Sequence, residues 1–149
     1  MKEKCFVMLK PGVLNRRIAG EVITRLERKG LNLIGMKLMQ ISDETAKLHY
    51  GEHEGKSFYG DLVSYITSAP VVAMVWEAEN CVALVRKLVG STNVCDAQPG
   101  TIRGDFCLHT PLNIIHASDS PANGEREVGL FFKPEELFSW TSESDNRWI

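Results

Sequence analysis

Six residues entered through Pro70, Val71-Val72-Ala73-Met74-Val75-Trp76, form an unbroken apolar run with no polar residue to face water. A run this short without alternation reads as a strand buried on both faces, at the centre of a sheet. The rest of the chain must therefore supply flanking strands and helices to cover it.

Those elements can be read in order. Lys4 to Leu9 is a short buried strand, ended by Lys10-Pro11-Gly12, because proline restricts its predecessor and glycine marks a turn. Between Arg16 and Lys29 the residues Ile18, Val22, Ile23 and Leu26 follow helical spacing, with Glu21 and Arg25 as an i,i+4 pair and Gly30 as the stop. Leu31 to Ile41 is a second strand. Ser42-Asp43-Glu44 caps a helix through about Tyr50. Lys56 to Thr67 carries Phe58, Leu62, Tyr65 and Ile66 at helical spacing and completes a helical hairpin. Asn80 to Val89 is a helix whose stripe is Val82, Val85 and Val89, and Gly90 to Gly104 is a long ordered loop.

Ile114 and Ile115 then predict an extended approach to His116, and Ser120-Pro121 opens a helix to Val128. Gly129 to Phe132 is expected as a last strand and Lys133 onward as a tail packed by Trp140 and Trp148. The order predicts an α+β, ferredoxin-like β-α-β-β-α-β sandwich. It has a four-stranded antiparallel sheet, an inserted helical hairpin, a long loop, and helices mostly on one face.

Size and charge narrow the function. At 149 residues the chain is expected to be one domain, residues 1–149, burying roughly 68–70% of its unfolded surface. Cys5, Cys81, Cys95 and Cys107 include no C-x-x-C pair, which points to reduced thiols and a cytoplasmic protein rather than a disulfide framework or zinc site. No signal-peptide core or bilayer-length apolar span is present, so no membrane association is expected. With 17 basic against 19 acidic residues and a net charge of −2, a general nucleic-acid binder is not expected either.

The chemistry concentrates in Asn113-Ile114-Ile115-His116-Ala117-Ser118-Asp119-Ser120. A histidine at a strand-to-helix corner, with short oxygen-bearing side chains after it, is placed for nucleophilic or acid/base work, or else is satisfied in an ordinary turn. Arg86 lies at the edge of the apolar stripe of its helix, either snorkelling or held against a phosphate cleft. Arg103 lies between Gly100 and Gly104, either an exposed loop arginine or one brought against a ligand. His49-Tyr50-Gly51-Glu52-His53 matches H-x-x-E-H, but Gly51 weakens the helix that such a zinc motif requires. The dinucleotide and P-loop glycine patterns are absent, and the middle strands lack the stacking aromatics of an RNA-recognition domain.

Four motifs, in this order, give the chain a specific resemblance. They are Lys10-Pro11, Pro99-Gly100-Thr101-Ile102-Arg103-Gly104-Asp105-Phe106, the segment around His116, and Gly129-Leu130-Phe131-Phe132 followed by Pro134-Glu135-Glu136-Leu137. The chain resembles the nucleoside diphosphate kinases across essentially its whole length. The resemblance implies transfer of the γ-phosphate of a nucleoside triphosphate, mainly ATP, to a nucleoside diphosphate by a ping-pong route through a phosphohistidine. It implies His116 as the phosphorylated residue, Glu127 and Ser118 as groups orienting it, and Lys10 as a further catalytic group. Lys10, Tyr50, Arg86, Thr92, Arg103 and Asn113 fall on phosphate- and ribose-contacting positions, and Phe58 and Leu62 on the base-sandwiching ones. Mg²⁺ is expected on the nucleotide phosphates, with no protein metal ligands. A homo-oligomer is expected, with a hexamer favoured over a tetramer. The chain departs from its relatives at Gly12-Val13, where Asp-Gly is usual, and at Arg17 and Ala117, where glycine is usual. It also departs at Val94, where proline is usual.

Overall fold

In the computed structural model, which describes residues 1–141 and 148, the apolar run becomes strand β3 (Val71–Glu79). Its residues 71–76 are all at most 5% exposed, as a strand covered on both faces requires. β1 (Lys2–Leu9) pairs antiparallel with it from Lys2↔Glu79 to Leu9↔Val72, and β2 (Asn32–Met39) pairs on the other side with a bulge between Leu33 and Gly35. The short β4 (Ile115–Ala117) pairs antiparallel with β1, giving the sheet order β2-β3-β1-β4.

The period of two along β1 divides the core. Cys5, Val7 and Leu9 face a layer built by Val22 and Leu26 of α2 (Ala19–Arg28) and by Val82, Val85 and Val89 of α5 (Cys81–Val89). Phe6 and Met8 face the opposite layer, built from α3 (Asp43–His49), α4 (Tyr59–Thr67) and α7 (Pro121–Phe131) through Ala46, Ile66, Val128 and Phe131. Helices therefore cover both faces rather than mostly one, because the inserted hairpin and α7 close the side that two crossover helices leave open. Burial of each α5 valine contributes roughly 1.5–3 kcal/mol to this packing.

Several local expectations are corrected. The first helix is broken: α1 (Val13–Arg16) ends at Arg17, whose φ of 58° is left-handed, before α2 begins. Arg25 pairs with Asp105 at 2.7 Å rather than with Glu21, and its guanidinium lies 4.8 Å from the Phe106 ring centre. Residues 129–131 belong to α7, not to a last strand. Gly124, Glu127, Val128 and Phe131 form one buried helical stripe, and that period of three to four overrides the local β-propensity of Phe131 and Phe132. The long loop also contains a helix, α6 (Ile102–Phe106), capped by Thr101 Oγ1 accepting from Gly104 N–H. In the tail, Trp140 donates its indole N–H to Leu33 O at 2.8 Å, whereas Trp148 is exposed.

Candidate active site

β4 is an edge strand, and this decides how the site is built. The backbone of His116, and of residues 114 and 118 that flank β4, faces β1: Lys10 N–H donates to Ile114 O and Ser118 N–H to Phe6 O. The carbonyls of 115 and 117 point the other way, off the sheet, where an unpaired carbonyl requires a donor. Arg103 Nη2 donates to Ile115 O at 2.7 Å, and Arg86 Nη1 donates to Ala117 O at 3.2 Å. The two guanidiniums thus grip the backbone on either side of His116. Arg103 also donates to Gly90 O and is 4% exposed, so it is no exposed loop arginine, and among the described residues its Nε has no partner. Burial lowers its pKa to about 10, with the Arg86 charge adding to the shift.

His116 presents its imidazole to a cleft of about 340 Å³ lined by Lys10, Tyr50, Phe58, Leu62, Arg86, Thr92, Arg103, Asn113 and Glu127. Nε2 lies 2.6 Å from Glu127 Oε2, a carboxylate 3% exposed that α7 carries in from behind the ring. A contact this short is a charge-assisted hydrogen bond with Nε2–H as donor. That tautomer leaves the lone pair on Nδ1. Lys10, at the end of β1, donates Nζ–H to Asn113 Oδ1 at 2.7 Å. Burial, with the nearby Arg103 charge as the next cause, lowers its pKa to about 8. Phe58 stands half out of the cleft wall, 45% exposed, where a flat ligand can stack on it.

The turn into β4 differs from the extended approach the isoleucines predict. Ile114 has φ 60°, and Ile115 N–H donates back to Asn113 O at 2.7 Å, which makes a strained γ-turn around a β-branched residue. Tertiary bonds hold it: Ile114 O takes Lys10 N–H and Asn113 Oδ1 takes Lys10 Nζ–H. Ser118, expected beside the imidazole, instead accepts from Phe6 N–H at 2.9 Å and donates to Phe6 O. Among the described residues it makes no hydrogen bond to His116 or Glu127. It fixes the exit of β4 onto β1.

The departures from the usual pattern have physical readings. Ala117 lies in extended β4, so its methyl meets no left-handed requirement. Gly12 takes φ 96° as the N-cap of α1, and Val13 is fully buried in the core. Val94 uses the N–H that proline would lack, donating it to Thr110 Oγ1 at 3.1 Å.

The sequence places His49 only within the H-x-x-E-H pattern, not beside His116. His49 is 4% exposed, its ring centre 4.6 Å from that of His116 and nearly perpendicular to it. The available signal was its position three residues after Ala46 on the inward face of α3, a polar residue on an apolar stripe. Burial, with His116 as the next cause, lowers its pKa to about 2, so it is neutral. His53 does not join it as a zinc pair. α3 ends at His49, and His53 turns toward Glu52 and Lys56.

The sequence profile of the family described as "Nucleoside diphosphate kinase" matches residues 3–137. The chain belongs to the nucleoside diphosphate kinase family. It is 55% identical to a nucleoside diphosphate kinase of Bacillus licheniformis over 147 residues, 99% of each chain. It is likewise 55% identical to one from Methanothermobacter thermautotrophicus over 138 residues, covering 93% and 92%. A solved nucleoside diphosphate kinase from Halobacterium salinarum, in complex with CDP, superposes with a TM-score of 0.95 at 47% identity, covering 98% of this chain and 97% of that one. The chain is thus a nucleotide-binding phosphotransferase of the nucleoside diphosphate kinase class, built on the β-α-β-β-α-β fold.

Proposed function

We propose that His116 Nδ1 attacks the γ-phosphorus of a bound nucleoside triphosphate, mainly ATP. The Nδ1–P bond forms as the bond from phosphorus to the β-bridging oxygen breaks, and the diphosphate leaves. A second diphosphate then takes the phosphoryl group back from Nδ1, which gives a ping-pong cycle. The single observation that carries this reading is the 2.6 Å contact between Glu127 Oε2 and His116 Nε2. It frees Nδ1 as nucleophile and sets a carboxylate against the positive charge the phosphorylated ring acquires.

The other lining residues fit the remaining tasks. Lys10, Arg86 and Arg103 supply positive charge for the phosphate oxygens, with Tyr50, Thr92 and Asn113 beside them, and Phe58 and Leu62 hold the base. Stacking on a π-face does not read base edges, so base preference is broad. Mg²⁺ prefers oxygen ligands, which the nucleotide phosphates supply, so these walls suit Mg²⁺ carried on the nucleotide rather than on the protein. When bound, Mg²⁺ would neutralise negative charge on the phosphates that Lys10, Arg86 and Arg103 would hold.

We further infer one domain spanning the chain, a cytoplasmic location consistent with four free cysteines, and a homohexamer. Among the described residues no helix is long and apolar enough to cross a membrane. The hexamer reading is supported by apolar side chains left exposed at Met36 and Leu38 of edge strand β2 and at Leu108 and Leu112. Analytical ultracentrifugation tests it, and a tetramer would overturn it.

The test of the chemistry is labelling with γ-labelled ATP and Mg²⁺ in the absence of acceptor. An acid-labile label at His116, discharged by GDP or CDP, is expected. His116→Asn abolishes labelling and turnover while nucleotide binding persists, and normal turnover in that variant would sink the mechanism.

A further inference from the structure

His49, His116 and Glu127 each place one donor atom within 4.8 Å of the others, and all three side chains line the same cleft. Three further observations make this more than proximity. The His49 side chain is 2% exposed, yet among the described residues neither ring nitrogen has a hydrogen-bond partner. Glu127 Oε1 is buried and, among the described residues, unpartnered as well. Around His49 stand the rings of Tyr50 at 4.6 Å and Phe131 at 5.3 Å, and Glu127 Oε2 lies 3.5 Å from Nδ1 without forming a hydrogen bond. Buried nitrogens without partners are rare, and they mark a place where a ligand belongs.

We propose that His49, His116 and Glu127 form a binding site for a zinc-class transition-metal ion, distinct from Mg²⁺ carried by the nucleotide. Two imidazoles and one carboxylate are a donor set that zinc takes in open sites, with water in the fourth position. Mg²⁺ prefers oxygen ligands and does not compete for it. Two of the three spacings are close to what is needed, the third lying within 4.8 Å. Tetrahedral zinc with bonds of about 2.05 Å sets its ligand atoms about 3.3 Å apart. His49 Nδ1 already lies 3.5 Å from Glu127 Oε2. The His116 Nε2 to Glu127 Oε2 contact, now 2.6 Å, must open by about 0.7 Å and give up its shared proton to solvent.

That exchange regulates the enzyme. Zinc on Nε2 takes both the proton and the carboxylate that prepare Nδ1, so the metal-loaded protein accepts phosphate slowly. Conversely, a phosphorylated ring keeps its Nε2–H and excludes the metal. This consequence rests on the phosphohistidine reading, whereas the site itself does not.

The experiment titrates Co²⁺, a spectroscopic substitute for Zn²⁺, into the metal-free full-length protein without nucleotide. One Co²⁺ per chain is expected, with the intense visible absorption of four-coordinate cobalt, displaced by Zn²⁺. His49→Gln and His116→Asn should each weaken binding at least roughly tenfold, while His53→Gln leaves it unchanged. Thermal unfolding shows that each variant is folded, and the cleft-facing His116→Asn decides the matter if His49→Gln is not. Six-coordinate spectra alone, or wild-type affinity in the folded variants, would overturn the site. Because binding is read without nucleotide, its failure leaves phosphotransfer untouched, and failed labelling of a cobalt-binding protein would refute phosphotransfer alone.

Discussion

Gly104→Ala is expected to unfold the protein earlier and to slow it, for one geometric reason. A Cβ at position 104 would stand 2.0 Å from Gln98 O, 2.7 Å from Gln98 C and 2.8 Å from Thr101 Oγ1. Real Cβ contacts below 3.0 Å essentially never occur, so backbone must give by at least 1 Å, the difference between 3.0 and 2.0. Neither partner yields easily. The turn is fixed by Thr101 N–H and Oγ1–H on Gln98 O at 3.1 and 2.6 Å, and α6 is fixed by Arg103 on Ile115 O. Overpacking contributes roughly 1–3 kcal/mol and loss of the Thr101 cap about 1 kcal/mol, against about 1 kcal/mol gained from alanine's helix propensity. The net loss is about 2 kcal/mol, or roughly 4–8 °C in Tm for a chain of this size. If α6 moves, Arg103 moves with it, and a misplacement of about 1 Å lowers kcat/KM roughly 100-fold. The assay pairs calorimetry with steady-state kinetics and uses Gly129→Ala as reference. Gly129 lies in α7 with nothing within 4 Å of its Cβ, so alanine there should be neutral or stabilising by up to about 1 kcal/mol. Wild-type melting and turnover in Gly104→Ala, with Gly129→Ala behaving as stated, would refute the packing argument.

Three further outcomes follow from the same geometry. Arg17→Gly relieves a left-handed residue, φ 58°, that costs roughly 1–2 kcal/mol in an L-amino acid. Less the entropy glycine adds to the unfolded chain, Tm should rise by about 2 °C, and a fall would contradict the strain. Glu127→Gln keeps the shape but removes the charge from the bond to His116. It should lower kcat roughly 10- to 100-fold in steady-state kinetics with KM little changed, and an unchanged kcat would exclude charge stabilisation. Lys10, with its pKa lowered to about 8 in the folded protein, loses its charge as pH rises through that value. Calorimetric nucleotide affinity should therefore weaken between pH 7 and 9, and a Lys10→Met variant should lose that dependence. Stability moves the opposite way, because the unfolded chain holds more protons between about 8 and 10.5, so the contribution of Lys10 rises through that window.

The sequence made the catalytic frame legible where local pattern and tertiary role coincide. Arg86 sits where its apolar stripe meets water, so its angle on the helix already points to the cleft. Glu127 and His116 are eleven residues apart in strand and helix segments that the turn chemistry of Ser120-Pro121 separates cleanly. What stayed hidden depends on partners far along the chain. The γ-turn at Ile114 runs against its own propensity and exists because Lys10, more than a hundred residues earlier, bonds both Ile114 O and Asn113 Oδ1. Ser118 reads as a neighbour of the imidazole until β1 is seen beside it, offering both its donor and its acceptor. His49 resembles any polar residue of a hairpin until α3 is packed against α7.

The two guanidiniums on the outward carbonyls of β4 have a consequence for how the enzyme may be taken apart. An unpaired strand edge invites pairing with another chain, and here the residues that close the edge are also those proposed to face the phosphates. The spacing of the cations is thereby set by the strand repeat, two residues or about 6.7 Å, a ruler made of backbone rather than of side-chain rotamers. An alanine at either arginine removes charge and ruler together and uncovers an adhesive border, so self-association would accompany lost turnover. A deficit measured in such a variant belongs partly to sheet architecture, and only a replacement that still caps the carbonyl separates the two.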